Sequence, residues 1–136
     1  MKKLLFLCLT ALTLTACGND DDKAPSSPIA GSWKLATYTN NGAPETLSDC
    51  QKKSTITFRD AQKTFTVVDF NTAMSVCKSQ SFDGTWQNTS QDLYTITTMA
   101  GTQDLEITVS GNILSMTFND GTEADPYYAV STYTKI

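Results

Sequence analysis

The sequence contains no histidine, and arginine occurs only once, as Arg59. Without histidine, the chain lacks the commonest general base and the commonest neutral metal ligand of proteins. It also has no Gly-rich phosphate loop, no nucleophile elbow and no cysteine spacing typical of zinc. The carboxylates Asp49, Asp69, Asp83 and Glu106 are scattered along the chain, and we interpret them as solvated charges at strand edges. The sequence therefore predicts a protein that is not an enzyme, needs no cofactor and holds no metal.

Long apolar runs are scarce as well. The longest, Leu4 to Leu14, has eleven residues, whereas a membrane-spanning helix needs about 20. Lys2 and Lys3 precede this run, and small residues lead from it into Cys17, which is the layout of a secretory signal with its cleavage point. We predict that residues 1–16 are a signal peptide that is removed on export.

The motif Leu14-Thr15-Ala16-Cys17 resembles the lipobox of bacterial lipoproteins. In those proteins the cysteine is acylated and becomes the first residue of the mature chain. The resemblance implies membrane attachment through acyl chains on Cys17, each buried methylene contributing about 0.8 kcal/mol. It also implies a location in the bacterial cell envelope, anchored by lipid in the outer membrane.

An acidic run, Asp20-Asp21-Asp22, follows the cysteine closely. It is similar to the acidic runs that direct some Bacteroidetes lipoproteins to the cell surface, although a solvated linker is the simpler interpretation. Residues 17–29 bury too little apolar surface to order themselves, so we predict a flexible tether. Residues 30–136 are long enough for one core and form the single folded domain.

The predicted mature chain is acidic. Removal of residues 1–16 leaves 120 residues with 8 basic and 14 acidic side chains, a balance of −6. This charge argues against nucleic acid as a partner and against electrostatic docking to anionic lipid.

The domain has the pattern of β-strands throughout. Leu105, Ile107 and Val109, for example, alternate with Glu106 and Thr108, as in an antiparallel strand with one buried face. We predict eight strands, and no helix longer than a single turn within 71–80. The strands cover residues 32–39, 54–59, 63–70, 82–88, 92–99, 103–109, 112–119 and 127–135.

The links between these strands predict how they are arranged. Links after the second, fourth and sixth strands are short, whereas those at 40–53 and 71–81 are long. Alternate links of an up-and-down meander share one end, so one end is tight and the other carries loops. Eight such strands without an unpaired edge predict an all-β, eight-stranded antiparallel up-and-down barrel. The tether leaves from the tight end, and the loops face away from the membrane.

Cys50 and Cys77 are the two cysteines of the domain. An even pair in an exported domain favours a disulfide, and both residues fall at the loop-bearing end of the predicted barrel. Two independent buried thiols are the alternative. A bridge would stabilise the domain by roughly 3–4 kcal/mol according to the chain-entropy estimate.

Gly31-Ser32-Trp33, at the start of the first strand, resembles the Gly-x-Trp motif of lipocalins. The wider pattern is similar to the lipocalin-like domains of small Bacteroidetes lipoproteins, most of them of unknown function. The resemblance implies that Trp33 plugs the closed end of the barrel, and that the barrel binds a small hydrophobic ligand or, at its loop end, a glycan. The segments that carry it are 31–35, 47–58 and 84–86.

One feature of lipocalins and one of cytosolic fatty-acid carriers, which are similar in size, have no evident counterpart in the sequence. Lipocalins stack an arginine on the first-strand tryptophan, whereas Arg59 is the only arginine in this sequence. Fatty-acid carriers clamp a carboxylate with Arg-x-Tyr, whereas the last strand here reads Ser131-Thr132-Tyr133-Thr134-Lys135. Gly84-Thr85-Trp86 repeats Gly-x-Trp on the fourth predicted strand, and we interpret Trp86 as core filling rather than as part of a pocket.

Two other functions remain open. The domain could be an interaction or accessory subunit of a cell-envelope complex, and an exposed apolar patch at 71–76 or 126–128 would favour this. It could also inhibit lysozyme or a protease through its loops.

Overall fold

The computed structural model describes residues 26–119, 121 and 127–136, which form one antiparallel sheet closed on itself. Eight strands pair in a ring, because the last strand pairs with the first. The predicted all-β, eight-stranded barrel is therefore confirmed. The described strands are β1 (Gly31–Asn40), β2 (Ala43–Glu45), β3 (Thr55–Arg59), β4 (Thr64–Ala73), β5 (Val76–Asn88), β6 (Leu93–Thr98), β7 (Gly101–Ser110), β8 (Ile113–Asn119) and β9 (Tyr128–Lys135).

The long link between the first two predicted strands contains structure of its own. Strand β2 pairs only with the end of β1, on the side opposite β9, and so lies outside the ring of eight. A single 3-10 turn, Gln51–Lys53, leads into β3.

Buried side chains concentrate at the end of the barrel where β1 begins, which we call the base. In β4, Phe65 is buried near the start of the strand, whereas Asn71 and Thr72 near its end are exposed. Alternation places every second side chain inside, and aromatic and branched residues fill that space. The core cluster consists of Ile29, Trp33, Ile56, Phe58, Phe65, Trp86, Tyr94, Ile96, Leu105, Ile107 and Leu114.

The prediction of a long link at 71–81 is wrong. Strands β4 and β5 instead continue to a two-residue turn at Met74 and Ser75, with φ of 51° and 65°. Positive φ at both central residues matches the right-handed twist of a hairpin. The segment has no alternating pattern because β5 is exposed on both faces from Val76 to Asp83.

This hairpin rises above the rest of the barrel. Strand β5 forms ten residue pairs with β4 but only four with β6, from Thr85 to Asn88. The wall of the barrel therefore divides between β5 and the β6–β7 hairpin in its upper half, at the end opposite the base.

No helix within the described residues is both long enough and apolar enough to cross a bilayer. The predicted signal peptide (residues 1–16), Cys17 and residues 18–25 of the predicted tether lie outside the described residues. Of the described part, 26–29, the last residue, Ile29, is buried in the core.

Candidate ligand-binding site

Trp33 lies at the base and is completely buried. Its indole Nε1 donates a hydrogen bond to the carbonyl oxygen of Ile29, 2.8 Å away, so the polar atom of this buried ring is satisfied. Lys135, at the end of β9, places Nζ 5.3 Å from the centroid of the ring. The sequence does not reveal this cation, because the β1–β9 pairing that brings Lys135 to Trp33 joins distant parts of the chain.

Trp86 completes the filling of the base. Its ring meets Phe58 edge to face, with centroids 6.2 Å apart, and its Nε1 donates to the carbonyl oxygen of Thr64. Gly84 leaves room for this packing, because a Cβ there would lie 2.5 Å from the ring of Phe65. The base is thus a solid core, and Trp86 is one of the side chains that fill it.

A cavity of about 290 Å³ opens above the base, and we call it the calyx. Its volume lies near the lower end of the range for small-molecule sites, and its wall combines apolar side chains with a few polar ones. The lining residues are Tyr38, Gln103, Leu105, Met116, Thr117, Phe118, Tyr127, Ala129, Ser131 and Tyr133.

A second concavity, of about 670 Å³, fills the gap between β5 and the β6–β7 hairpin, and we call it the side cleft. Phe82 faces it from β5 and is 43% exposed, while Met99, at the tip of the β6–β7 hairpin, is fully exposed. The cleft gives the upper barrel an opening through its side. The sequence could not predict it, since it depends on how far β5 and β6 pair.

Asp69, which the sequence predicts to be a solvated charge at a strand edge, is half-buried. It shares the inner face of β4 with Phe65 and Val67, because alternate residues of a strand face the same side. Ser54, which is buried, donates from Oγ to Asp69 Oδ1 at 3.0 Å and accepts from the backbone N–H of Phe70 at 2.9 Å. This network orients the half-buried carboxylate on the inner face of β4. The two-residue period of β4 was the signal that pointed to it.

The other three carboxylates that the sequence singles out are exposed at the surface and do not lie on the inner wall with Asp69. Asp49 pairs with Lys52 at the surface, Asp83 accepts from Thr66 Oγ1 on the outer face, and Glu106 is exposed on β7. Within the described ranges, no three Cys, Asp or Glu side chains come together as a metal site.

Two tyrosines of the calyx have raised pKa values. Burial raises the pKa of the Tyr133 phenol, a hydrogen bond with Ser131 partly opposes this, and the negative charge of Asp69 raises it further. The hydrogen bond with Tyr127 is the main cause of the raised pKa of Tyr38. Both phenols are therefore neutral and available as hydrogen-bonding groups at neutral pH.

Cys50 and Cys77 form a disulfide with Cα atoms 5.6 Å apart, which confirms the predicted pair. Cys77 lies in β5, directly opposite Thr72 of β4, and not in a loop. The bridge therefore fastens the raised β4–β5 hairpin to the segment that precedes β3.

The sequence model of the lipocalin-like domain matches residues 29–109, more than half of the chain. The chain belongs to the lipocalin-like family. This match extends from the residue that accepts the Trp33 hydrogen bond to the penultimate residue of β7. The resemblance inferred from Gly31-Ser32-Trp33 is thus confirmed for the domain.

Solved structures of lipocalins share the fold of this lipocalin-like domain. A bovine lipocalin allergen is 13% identical, with a TM-score of 0.50 over 80% of this chain and 73% of its own. A complex of bovine odorant-binding protein with undecanal is 15% identical, with a TM-score of 0.51 over 81% of this chain and 72% of its own. The odorant-binding protein from bovine nasal mucosa has the same identity and coverage and a TM-score of 0.52. Among curated proteins, none matches this sequence.

Proposed function

We propose that this lipocalin-like protein binds a small hydrophobic molecule in its calyx while anchored to the outer membrane of a bacterium. One observation carries the proposal: the barrel is filled at its base but hollow above it. The hollow part has a volume of about 290 Å³ and includes the apolar residues Leu105, Met116 and Phe118 in its wall. Burial of a ligand there is favourable by roughly 25 cal/mol for each Å² of apolar surface removed from water.

The similar structures support a binding role rather than a catalytic one. The bovine odorant-binding protein is described in complex with undecanal. Because that likeness is one of fold, undecanal serves here as a guide to ligand size and not as the predicted ligand. A single apolar chain of this kind suits a cavity of the observed volume.

The proposed anchor is an acyl group on Cys17. Ile29 lies in the core of the base, and the backbone N–H of Ser27 donates to Asp60 in the turn after β3, so residues 26–28 lie at this closed end. An anchored domain would then hold its calyx and side cleft away from the bilayer. Growth of the native cells with an alkyne-labelled palmitate tests the anchor, since the wild-type protein should take up the label and Cys17→Ser should not.

Ligand binding can be tested with the full chain carrying Cys17→Ser, purified after export. We expect the neutral fluorophore N-phenyl-1-naphthylamine to become brighter on binding and undecanal to displace it. Met116→Trp fills the calyx from β8 and should abolish the signal. Ser115→Trp is the matched control, because it places the same side chain on the outer face of the same strand. Binding that is absent from the parent protein, or that survives Met116→Trp, would contradict the proposal.

Exposed apolar side chains favour the interaction subunit as a second candidate. Met74 is 96% exposed and Val76 is 56% exposed, both at the tip of the β4–β5 hairpin. Cross-linking in native membranes should then capture an envelope protein with the wild type and lose it with Met74→Ser/Val76→Ser. Retention of the same partner by the variant would count against this role.

A further inference from the structure

The inner face of the β4–β5 hairpin becomes polar directly above the base. Phe65 and Val67 face the interior at the bottom of β4, and Asp69 is the next residue on that face. Gln80 lies opposite Asp69 on β5. A negative charge therefore lies on the inner wall of a barrel whose bottom is apolar.

Nothing positive neutralises this charge within the described structure. The ion pairs found there, Asp49–Lys52 and Asp60–Lys63, both lie on the outer surface. Lys78 is next to Gln80 on the inner face of β5, but it is exposed toward the hairpin tip and forms no ion pair with any residue that the structure describes. Asp69 has one hydrogen-bond donor in the described residues, Ser54, at its Oδ1. A carboxylate can accept bonds at both oxygens, so Asp69 retains acceptor capacity.

A second group in the interior also lacks a donor. Asn40 pairs directly with Ala129, a calyx residue, and directly opposite residues of two strands share a face. Its Oδ1 is buried and has no hydrogen-bond partner among the described residues. Unpaired buried acceptors are rare in folded proteins, so a donor on the ligand is the natural complement.

Asp69 lies near a residue of the calyx wall. Ser54, which donates to Asp69, accepts from the backbone N–H of Leu35 at 2.9 Å, and Leu35 lies directly opposite Tyr133, which lines the calyx. The charge of Asp69 is accordingly one of the causes of the raised pKa of Tyr133. A ligand whose apolar chain lies against Leu105 and Met116 would extend its head toward this polar wall.

We propose that the calyx selects amphipathic ligands with a positively charged head, of the class of protonated alkyl amines, and that Asp69 accepts the head. The inference rests on the proposed function, because it names the ligand class of the same cavity. A buried ammonium is tolerated only when it is paired, and a charge-assisted bond to a carboxylate is about twice as strong as a neutral one. An anionic head would face Asp69 without a positive partner, so the same residue also disfavours the fatty acids.

Three ligands of the same chain length separate the effect of the head group on binding from that of the apolar chain. Dodecylamine, dodecanol and dodecanoate, each below its micelle concentration, compete for N-phenyl-1-naphthylamine on the full chain carrying Cys17→Ser. We expect the amine to displace the probe at a concentration at least tenfold below that of dodecanoate, with the alcohol between them.

Substitutions at and near Asp69 test whether this residue causes the preference for the amine. Asp69→Asn keeps an acceptor for Ser54 Oγ but removes the charge, and it should reduce the tenfold preference to less than threefold. Asp83→Asn is the matched control on the outer face of the same hairpin and should leave the preference unchanged. Should Asp69→Asn fold poorly, Gln80→Lys provides an independent test at an exposed position, since it places a cation opposite Asp69 and should also remove the preference.

The outcomes distinguish this inference from the function on which it rests. Equal displacement by all three ligands would overturn the charge preference and leave the hydrophobic site intact. A preference that survives both Asp69→Asn and Gln80→Lys would overturn the role of Asp69. Failure of the parent protein to bind the probe or any of the three ligands would overturn the proposed function, and the inference with it.

Discussion

Lys135 holds its ammonium over the indole of Trp33, with Nζ 5.3 Å from the ring centroid, and the two residues face each other across the β1–β9 pairing. Those two strands are the ones whose pairing closes the barrel. The contact therefore lies where the first and last strands pair, at the base of the barrel, which core side chains also fill. The resemblance to lipocalins implies an arginine stacked on this tryptophan. In this chain a lysine, Lys135, lies over the ring instead.

Removal of this cation should weaken the base slightly. Lys135 is exposed, and a cation–π contact at an exposed site contributes about 0.5–1 kcal/mol, so we expect Lys135→Met to lower the free energy of unfolding by that amount. Urea denaturation followed by tryptophan fluorescence measures the change. Lys135→Arg preserves the cation and should unfold like the wild type; equal losses in both variants would show that the charge over Trp33 is irrelevant.

Gly84 should not tolerate even one added methyl group. A Cβ at this position would lie 2.5 Å from both the Phe65 ring and the backbone oxygen of Thr97. Overpacking of a core typically destabilises by 1–3 kcal/mol, and because a backbone atom is involved we expect Gly84→Ala to cost about 2–3 kcal/mol. The lower entropy of the unfolded alanine chain offsets at most about 1 kcal/mol of this.

A double-mutant cycle identifies the cause of that loss. Phe65→Leu removes the ring edge, so Gly84→Ala should be less destabilising in the Phe65→Leu background than in the wild type. The free energies of unfolding of the four proteins provide the comparison. Additive losses would place the clash at Thr97 rather than at Phe65.

Alternation made most of the barrel predictable from sequence. Strands such as β8 bury one face, so Leu114, Met116 and Phe118 alternate with polar residues and indicate both the strand and its orientation. The hairpin at 71–81 could not be found in this way. Its two strands leave the barrel, neither face is buried at the tip, and Met74-Ser75 is not a residue pair that signals a tight turn.

The candidate site was less predictable than the fold. Hollow space depends on which side chains fill the base and on where β5 and β6 stop pairing, and neither follows from local pattern. Asp69 is the exception, because its place in the period of β4 already predicts the inner face. The charge of Asp69 alone predicts a solvated position, whereas the two-residue period of β4 predicts the face of the strand on which Asp69 lies.

The phenol of Tyr133 should report the charge of Asp69 directly. Burial and Asp69 raise its pKa above the ordinary value of 10.0, so the folded state loses stability as pH rises above 10 and the unfolded chain ionises first. We expect Asp69→Asn to lower the pKa of Tyr133 while leaving it above 10, because burial is the larger cause. Carbon-13 NMR of labelled tyrosine Cζ follows the titration. An unchanged pKa in Asp69→Asn, or an equal decrease in Asp83→Asn, would contradict the proximity of the two groups.

The disulfide should stabilise the raised hairpin more than the base. Cys50 and Cys77 are 27 residues apart in the chain, and closure of a loop of this length contributes roughly 3–4 kcal/mol to the free energy of unfolding. Between Val76 and Gly84, β5 has no described partner on its β6 side, so the bridge is the covalent restraint that ties this part of the hairpin to the segment before β3. In Cys50→Ala/Cys77→Ala we therefore expect amide exchange to accelerate at residues 70–80 by a larger factor than at Ile56, Phe58 and Ile107. Reduction of the wild type should reproduce the same pattern. Uniform acceleration across all these amides would show instead that the bridge acts only on global unfolding.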